Sequence, residues 1–434
     1  MHYYSWRFLP AAVIALTLSL VQPGWAASNF KVLHSFPSSG TGGVYPAGAL
    51  AFDKLDNLYG TTYEGGILKT CPGTYNNLGC GAAFQLSLGA NGRWTETVLH
   101  RFKSGSDGAV PNGSLILDSL GNLYGTTQTG GVASSDDCGT IFRLTPGKTG
   151  WTENVIYTFC SQAYSGWTPL AGLLSDTAGN LWGTTGNGGQ NLGGTVFELT
   201  PSGNSWTSNI VWSFCAIGGC FTGGANPLAG LIADDAGDLY SSTVAGGNTE
   251  HYCAGFPGGC GVVFELTPSN GDWTEKVLHA FLGFEGVAPV AKLIFDVDGN
   301  IYGTTGVDGA LGCGTVFRLA PDGNGGWTYS VLYNFHDGLN GFNTGVVIDA
   351  LGNLYGAQGS GGTGGCGKFG CGVVYKLTPT THGAWKYSVL HQFSGLDDGG
   401  EPSGDLIWGP DGRLYGVAGV GGSGGSGVVF AITP

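Results

Sequence analysis

Charge is what this sequence has least of. Charged residues make up 11% of its 434 positions, with 16 Lys and Arg against 30 Asp and Glu and a formal net charge of −14. So small a basic complement excludes the footprint that nucleic acid requires. The negative balance argues against anionic membrane surfaces. Beyond residue 26 no apolar run is long enough to cross a bilayer. No stretch repeats apolar residues at helical period over a useful length. There is no C-x-x-C pair, no histidine beside Cys or carboxylate at metal-ligand spacing, no D-x-D-x-D-G calcium loop and no G-x-S-x-G elbow. The expectation is therefore no metal and no cofactor. A Ser-His-Asp triad gathered from distant positions stays open.

Glycine is what the chain has most of. Its 84 glycines are far above the usual ~7%. No strict three-residue glycine period exists, which excludes collagen, and an aromatic content of 12% argues against disorder. Many glycines and aromatics with few Lys or Glu suit short strands joined by tight turns.

Residues 1–26 read as a secretory signal. Arg7 gives the positive start, Phe8 to Val21 an apolar run, and Gly24-Trp25-Ala26 small residues at a cleavage site. The rival reading is a membrane anchor, for which ~14 apolar residues are too few. The mature chain, residues 27–434, is expected to be exported to the periplasm or beyond, free of the membrane once the signal is cleaved, and monomeric.

One stretch is copied seven times. Gly121-Asn122-Leu123-Tyr124-Gly125-Thr126-Thr127 returns from Asp56, Gly179, Gly237, Gly299, Gly352 and Gly412, at a period of about 58 residues. Each copy has four strand-like segments, A to D. In the second copy these are 115–118, 122–127, 139–145 and 151–159. Strand C carries an aromatic column, Phe84, Phe142, Phe197, Phe264, Phe317, Tyr375 and Phe430. Strand D ends in Phe102, Phe159, Phe214, Phe281, Phe335 and Phe393, each eight residues after a Trp. The missing seventh strand D is Phe30 to Phe36, at the other end of the chain. Residues 30–36 are thus expected to pair with 427–432 and close a ring, which removes an exposed sheet edge. The fold expected is all-β, a seven-bladed β-propeller of four-stranded blades. The Trp and Phe columns are read as packing between blades.

The pattern D-x-x-G-N-L-Y-G-T-T, then G-G, then C-G-T-V-F-x-L-T resembles the GloVer-type (Gloeo_Verruco) tandem repeat of exported bacterial proteins. The resemblance covers essentially the whole mature chain. It implies export and a repeat architecture, and it transfers no catalytic residue.

Propeller strand order puts the B–C loops and the D–A connections on one face, and the cysteines fall there. In an oxidising compartment the expected disulfides are Cys71–Cys80, Cys253–Cys260, Cys366–Cys371, Cys215–Cys220 and, less directly, Cys138–Cys160. Cys313 is left over. Zinc is the rival reading. His34, His100, His279 and His391 share one strand D column with Tyr157, Trp212 and Tyr333, which reads as a packing position. Asp53, Asp118, Asp176, Asp234, Asp296 and Asp349 form a column at the A–B turn and read as turn caps.

Repeated residues specify the blade, so a site should show where the copies differ. On the loop face the candidate ligand-binding residues are Glu64, Asp107, Trp167, Glu285, Asp308, Asp398 and Glu401. Further acids there are Asp136, Asp137, Glu250 and Asp397, and further aromatics Tyr45, Phe284 and Phe342. Two functions fit. One is a non-catalytic scaffold binding a glycan or a cell-surface protein. The other is an extracellular glycoside hydrolase or polysaccharide lyase using loop-face carboxylates, which needs a pair about 5–9 Å apart.

Overall fold

The computed structural model describes residues 30–67, 71, 78–131, 138–162, 164–215, 223–247, 253, 258–336 and 343–434. These form seven antiparallel blades in a ring, a seven-bladed β-propeller. Blade 2 is representative, with strands A Ile116–Leu117, B Leu123–Thr127, C Thr140–Gly147 and D Gly150–Thr158. Strand A is a two-residue ladder in six blades. In blade 1 it lengthens to Val44–Phe52, interrupted by a bulge between Ala47 and Ala51. Among the described residues helix is limited to two 3-10 turns, Gly105–Asp107 and Gly283–Glu285.

The ring closes as the sequence requires. Phe30–Ser35 pairs antiparallel with Val428–Ile432, Phe30 lying opposite Ile432. The N-terminal strand is strand D of blade 7.

The repeated stretch builds this ring in four ways. Gly121 takes φ +83° at the A–B turn, a conformation that costs glycine little. Gly125 lies under the strand C aromatic: a Cβ there would stand 2.6 Å from Phe142 Cζ. Thr126 donates from Oγ1 to the Ala171 carbonyl of blade 3, 3.0 Å away, and so stitches neighbouring blades. Thr127 stays within its blade, its Oγ1 accepting the Thr140 N–H at 3.1 Å and donating to the Thr129 carbonyl at the same distance.

The Asp column caps its own turns. Asp349 Oδ1 accepts the N–H groups of Leu351 and Asn353, and Oδ2 accepts Asn353 Nδ2–H and the Tyr355 hydroxyl. In blade 7 Gly409 stands where the other blades have Asp. Asp411 takes over from two residues on, accepting from the Tyr415 hydroxyl at 2.9 Å.

The core lies between blades. Each Phe ending a strand D meets the strand C aromatic of the next blade edge-on, from Phe36–Phe84 at 5.1 Å through Phe335–Tyr375 at 5.2 Å to Phe393–Phe430 at 5.4 Å. Phe102–Phe142, Phe159–Phe197, Phe214–Phe264 and Phe281–Phe317 complete the set of seven. The Trp column also packs between blades, as Trp151 against Tyr59 and Trp206 against Tyr124. Unlike the Phe residues it is only half-buried, since strand D is the outermost strand.

Among the described residues four disulfides have both partners in place, Cys71–Cys80, Cys138–Cys160, Cys253–Cys260 and Cys366–Cys371, with Cα–Cα distances of 4.9–5.6 Å. Cys215 is disulfide-bonded as well; Cys220 lies outside the described residues. Cys313 carries no disulfide. Cys138–Cys160 joins a B–C loop to the end of a strand D, which fixes both connections on one face of the ring. Disulfides of this number indicate an oxidising environment. Among the described residues no helix is long and apolar enough to cross a membrane. The signal at 1–26 lies outside the described residues.

Candidate functional site

Six D–A connections turn inward by the same device. Tyr45, Val110, Thr168, Asn226, Ala288 and Glu401 all have φ between +54° and +62°, an uncommon conformation for residues with a side chain. Each donates its N–H across the seam to the preceding blade: Val110 to the Cys80 carbonyl at 2.9 Å, Glu401 to that of Cys371 at 2.7 Å. A proline follows each of the six, and Pro111 covers Gly81, where a Cβ would stand 2.5 Å from the ring. This proline column is visible in the sequence, four residues before the Leu50, Leu115, Leu173, Leu231, Leu293 and Leu406 column.

Past this turn the chain lines the axis. All seven blades contribute to one cavity of about 700 Å³. The position before the core Leu or Val faces it, and there the repeat places small residues: Ala49, Ser114, Gly172, Gly230 and Gly345. Two blades depart from this pattern, blade 5 with Lys292 and blade 7 with Asp405. They are the charged residues among those lining the cavity. Asp405 Oδ1 accepts the Gly345 N–H at 2.6 Å. Burial pushes its carboxyl pKa up, against the pull of that hydrogen bond and of the Lys292 charge. The Lys292 stem extends over Gly230, whose added Cβ would meet Lys292 Cδ at 3.8 Å. Much of the other polar lining is engaged in the wall: Ser114 Oγ accepts the Ala49 N–H, Ser403 donates to the Pro46 carbonyl, and Asn343 donates to the Thr305 and Cys313 carbonyls. Lys292 and Asp405 are absent from the sequence-based candidates. Aligning the copies on the Leu column exposes both.

The seven candidates from the sequence do not converge. Glu64 is fully buried at the end of strand B of blade 1, where it accepts the Leu78 N–H. Trp167 is half-buried over Gly188, its backbone bridged to Asn187. Asp308 bridges Cys313 within its own loop. Glu401 is exposed on the inward turn just described. Asp136, Asp137, Glu250 and Phe342 lie outside the described residues.

Asp107, Glu285 and Asp398 occupy three separate seams, each bonded to the histidine of the strand D column. The pairs are His100–Asp107 at 3.0 Å, His279–Glu285 at 3.0 Å and His391–Asp398 at 3.1 Å. His34 meets Glu96 at 3.3 Å. The histidine column is thus a packing column with an acid partner at every histidine. His279 also stacks on Tyr329 and His391 on Phe30. At the blade 1–2 seam a second acid joins. Glu153 stands on strand D of blade 2 with Oε1 buried and without a hydrogen-bond partner. Burial, and then the Asp107 charge, push its carboxyl up to about 7 against the opposing pull of His100 and Lys103.

The Gloeobacter/Verrucomicrobia repeat matches residues 72–253, 216–383 and 252–434. The chain belongs to this repeat family. No curated protein matches it. Among solved structures, a Thermus thermophilus protein assigned as an oxidoreductase (glucose dehydrogenase) is 15% identical over 93% of this chain and 99% of its own, with a TM-score of 0.42. At that score the likeness carries no argument about activity.

Proposed function

We infer that this member of the repeat family is an exported, non-catalytic scaffold that binds a glycan at its disulfide-pinned loop face, with a sugar unit entering the axial cavity. The observation that carries this reading is the axial column, small in five blades and broken by Lys292 and Asp405 in the other two. The cavity volume lies in the range of small-ligand sites. An ammonium and a carboxylate on its wall supply hydrogen-bond donors and acceptors of the kind that orient a polyhydroxylated ligand. Acid–base hydrolysis of a glycosidic bond needs two carboxyl groups, and Asp405 is the carboxylate among the described lining residues.

A glycan array with product analysis tests the reading. Binding without release of new reducing ends or unsaturated products is the expected result. Turnover would overturn the non-catalytic assignment. The absence of any glycan ligand would overturn the glycan assignment and leave the loop face to a protein partner.

A further inference from the structure

Five seams share one arrangement on the outer strands: a histidine or tyrosine of one strand D faces the residue two after the Trp position in the next. Four seams bring a histidine. At the blade 7–1 seam its partner is Glu96. At the blade 4–5 seam Glu285 comes from the D–A connection, and the strand D position is Tyr329. At the blade 6–7 seam Asp398 comes from the connection, and the strand D position is Phe30. Among the described residues, only the blade 1–2 seam has histidine, connection acid and strand D acid together: His100, Asp107 and Glu153.

We propose that His100, Asp107 and Glu153 form a binding site for a divalent transition-metal cation, clamping blade 1 to blade 2. One donor atom from each lies within 4.8 Å of the other two. Small side-chain rotations bring an imidazole nitrogen and two carboxylate oxygens onto a sphere of about 2.1 Å radius, the bond length Zn²⁺ takes to both ligand types. The two carboxylates neutralise the ion. The otherwise unpartnered Glu153 Oε1 gains a bond. Asp107 is held in place by its second oxygen, which accepts the Lys103 N–H at 2.6 Å, so the site has an oriented ligand before metal arrives. Lys103 is the neighbouring cation, and the ion would take over its role beside Glu153. The site is separate from the axial cavity, and its test does not depend on glycan binding.

The experiment uses the mature protein, dialysed against chelator and titrated with Zn²⁺ alone, with calorimetry for stoichiometry and X-ray absorption at the zinc edge for the ligand shell. The expected result is one equivalent bound through nitrogen and oxygen, with one imidazole. Glu153→Gln should weaken binding more than tenfold, as should Asp107→Asn. Glu96→Gln, at the two-donor seam, should leave affinity within twofold. No binding by the wild-type protein, a shell containing sulfur, or full affinity in both seam variants would overturn the proposal. The absorption spectrum of the wild-type protein decides the matter even where a variant fails to fold.

Discussion

Phe36 stands edge-on to Phe84, their ring centroids 5.1 Å apart, and this contact joins the N-terminal strand to blade 1. The same strand is hydrogen-bonded to Val428–Ile432 in blade 7. Phe36 is fully buried. Closure of the ring thus depends on a segment that supplies one strand to the last blade and one aromatic to the first seam.

Phe36→Ala should destabilise the ring by about 3–5 kcal/mol, the cost of deleting a buried Phe side chain. Removing residues 30–36 altogether should cost more, since it also exposes the edge of Val428–Ile432. Chemical denaturation followed by tryptophan fluorescence checks both. A truncated chain as stable as the full one would contradict the closure.

The turn carboxylates make stability depend on acid. Burial raises the pKa values of Asp53, Asp176, Asp296, Asp349 and Asp411, but hydrogen bonds from the turn outweigh it and hold all five below the ordinary value. A carboxyl depressed in the folded state contributes stability above its unfolded pKa, near 3.9, and loses that contribution as pH falls through the folded value. Melting temperature should therefore fall steeply below about pH 4. Asp349→Ala should cost roughly 1–3 kcal/mol at neutral pH, because it removes the acceptor of four hydrogen bonds. The variant should also show a shallower acid dependence than the wild-type protein, read from melting curves across pH 2–7.

The disulfides hold loops rather than the ring. Cys366–Cys371 spans five positions, and a loop of that size is worth about 2 kcal/mol in the chain-entropy picture. Alkylation under denaturing, non-reducing conditions should label one thiol, Cys313. Labelling after reduction should reach all 11. Reduction should lower the melting temperature while leaving the far-ultraviolet signature of the strands. Complete unfolding on reduction would show that the bridges hold more than loops.

Repetition is what made the fold legible. Seven copies of a strand D ending in Phe, with the seventh displaced to residues 30–36, required a closed ring before any contact was known. The disulfides followed from which loops share a face. The site was harder to read, because its signal lies in positions where the repeat has no side chain to notice. Ala49, Ser114, Gly172, Gly230 and Gly345 look like loop filler until the chain is folded, and Lys292 and Asp405 then stand out against them. Acids exposed by count alone misled in the other direction. Glu64 serves its own loop, and Asp107, Glu285 and Asp398 each serve the histidine of the strand D just before their own connection. Glu153 was invisible for another reason: its partners come from a different blade, 46 and 53 positions back in the numbering of Asp107 and His100.

The central claim is that the repeated residues build the ring and the departures from the repeat at its axis bind the ligand. The most direct measurement is glycan affinity of Lys292→Ala and Asp405→Asn beside their melting temperatures, using whichever glycan the array identifies. The account predicts a loss of affinity of about tenfold or more in each variant, the equivalent of at least one charged hydrogen bond, with melting temperatures within a few degrees of wild type. Wild-type affinity in both variants would contradict it.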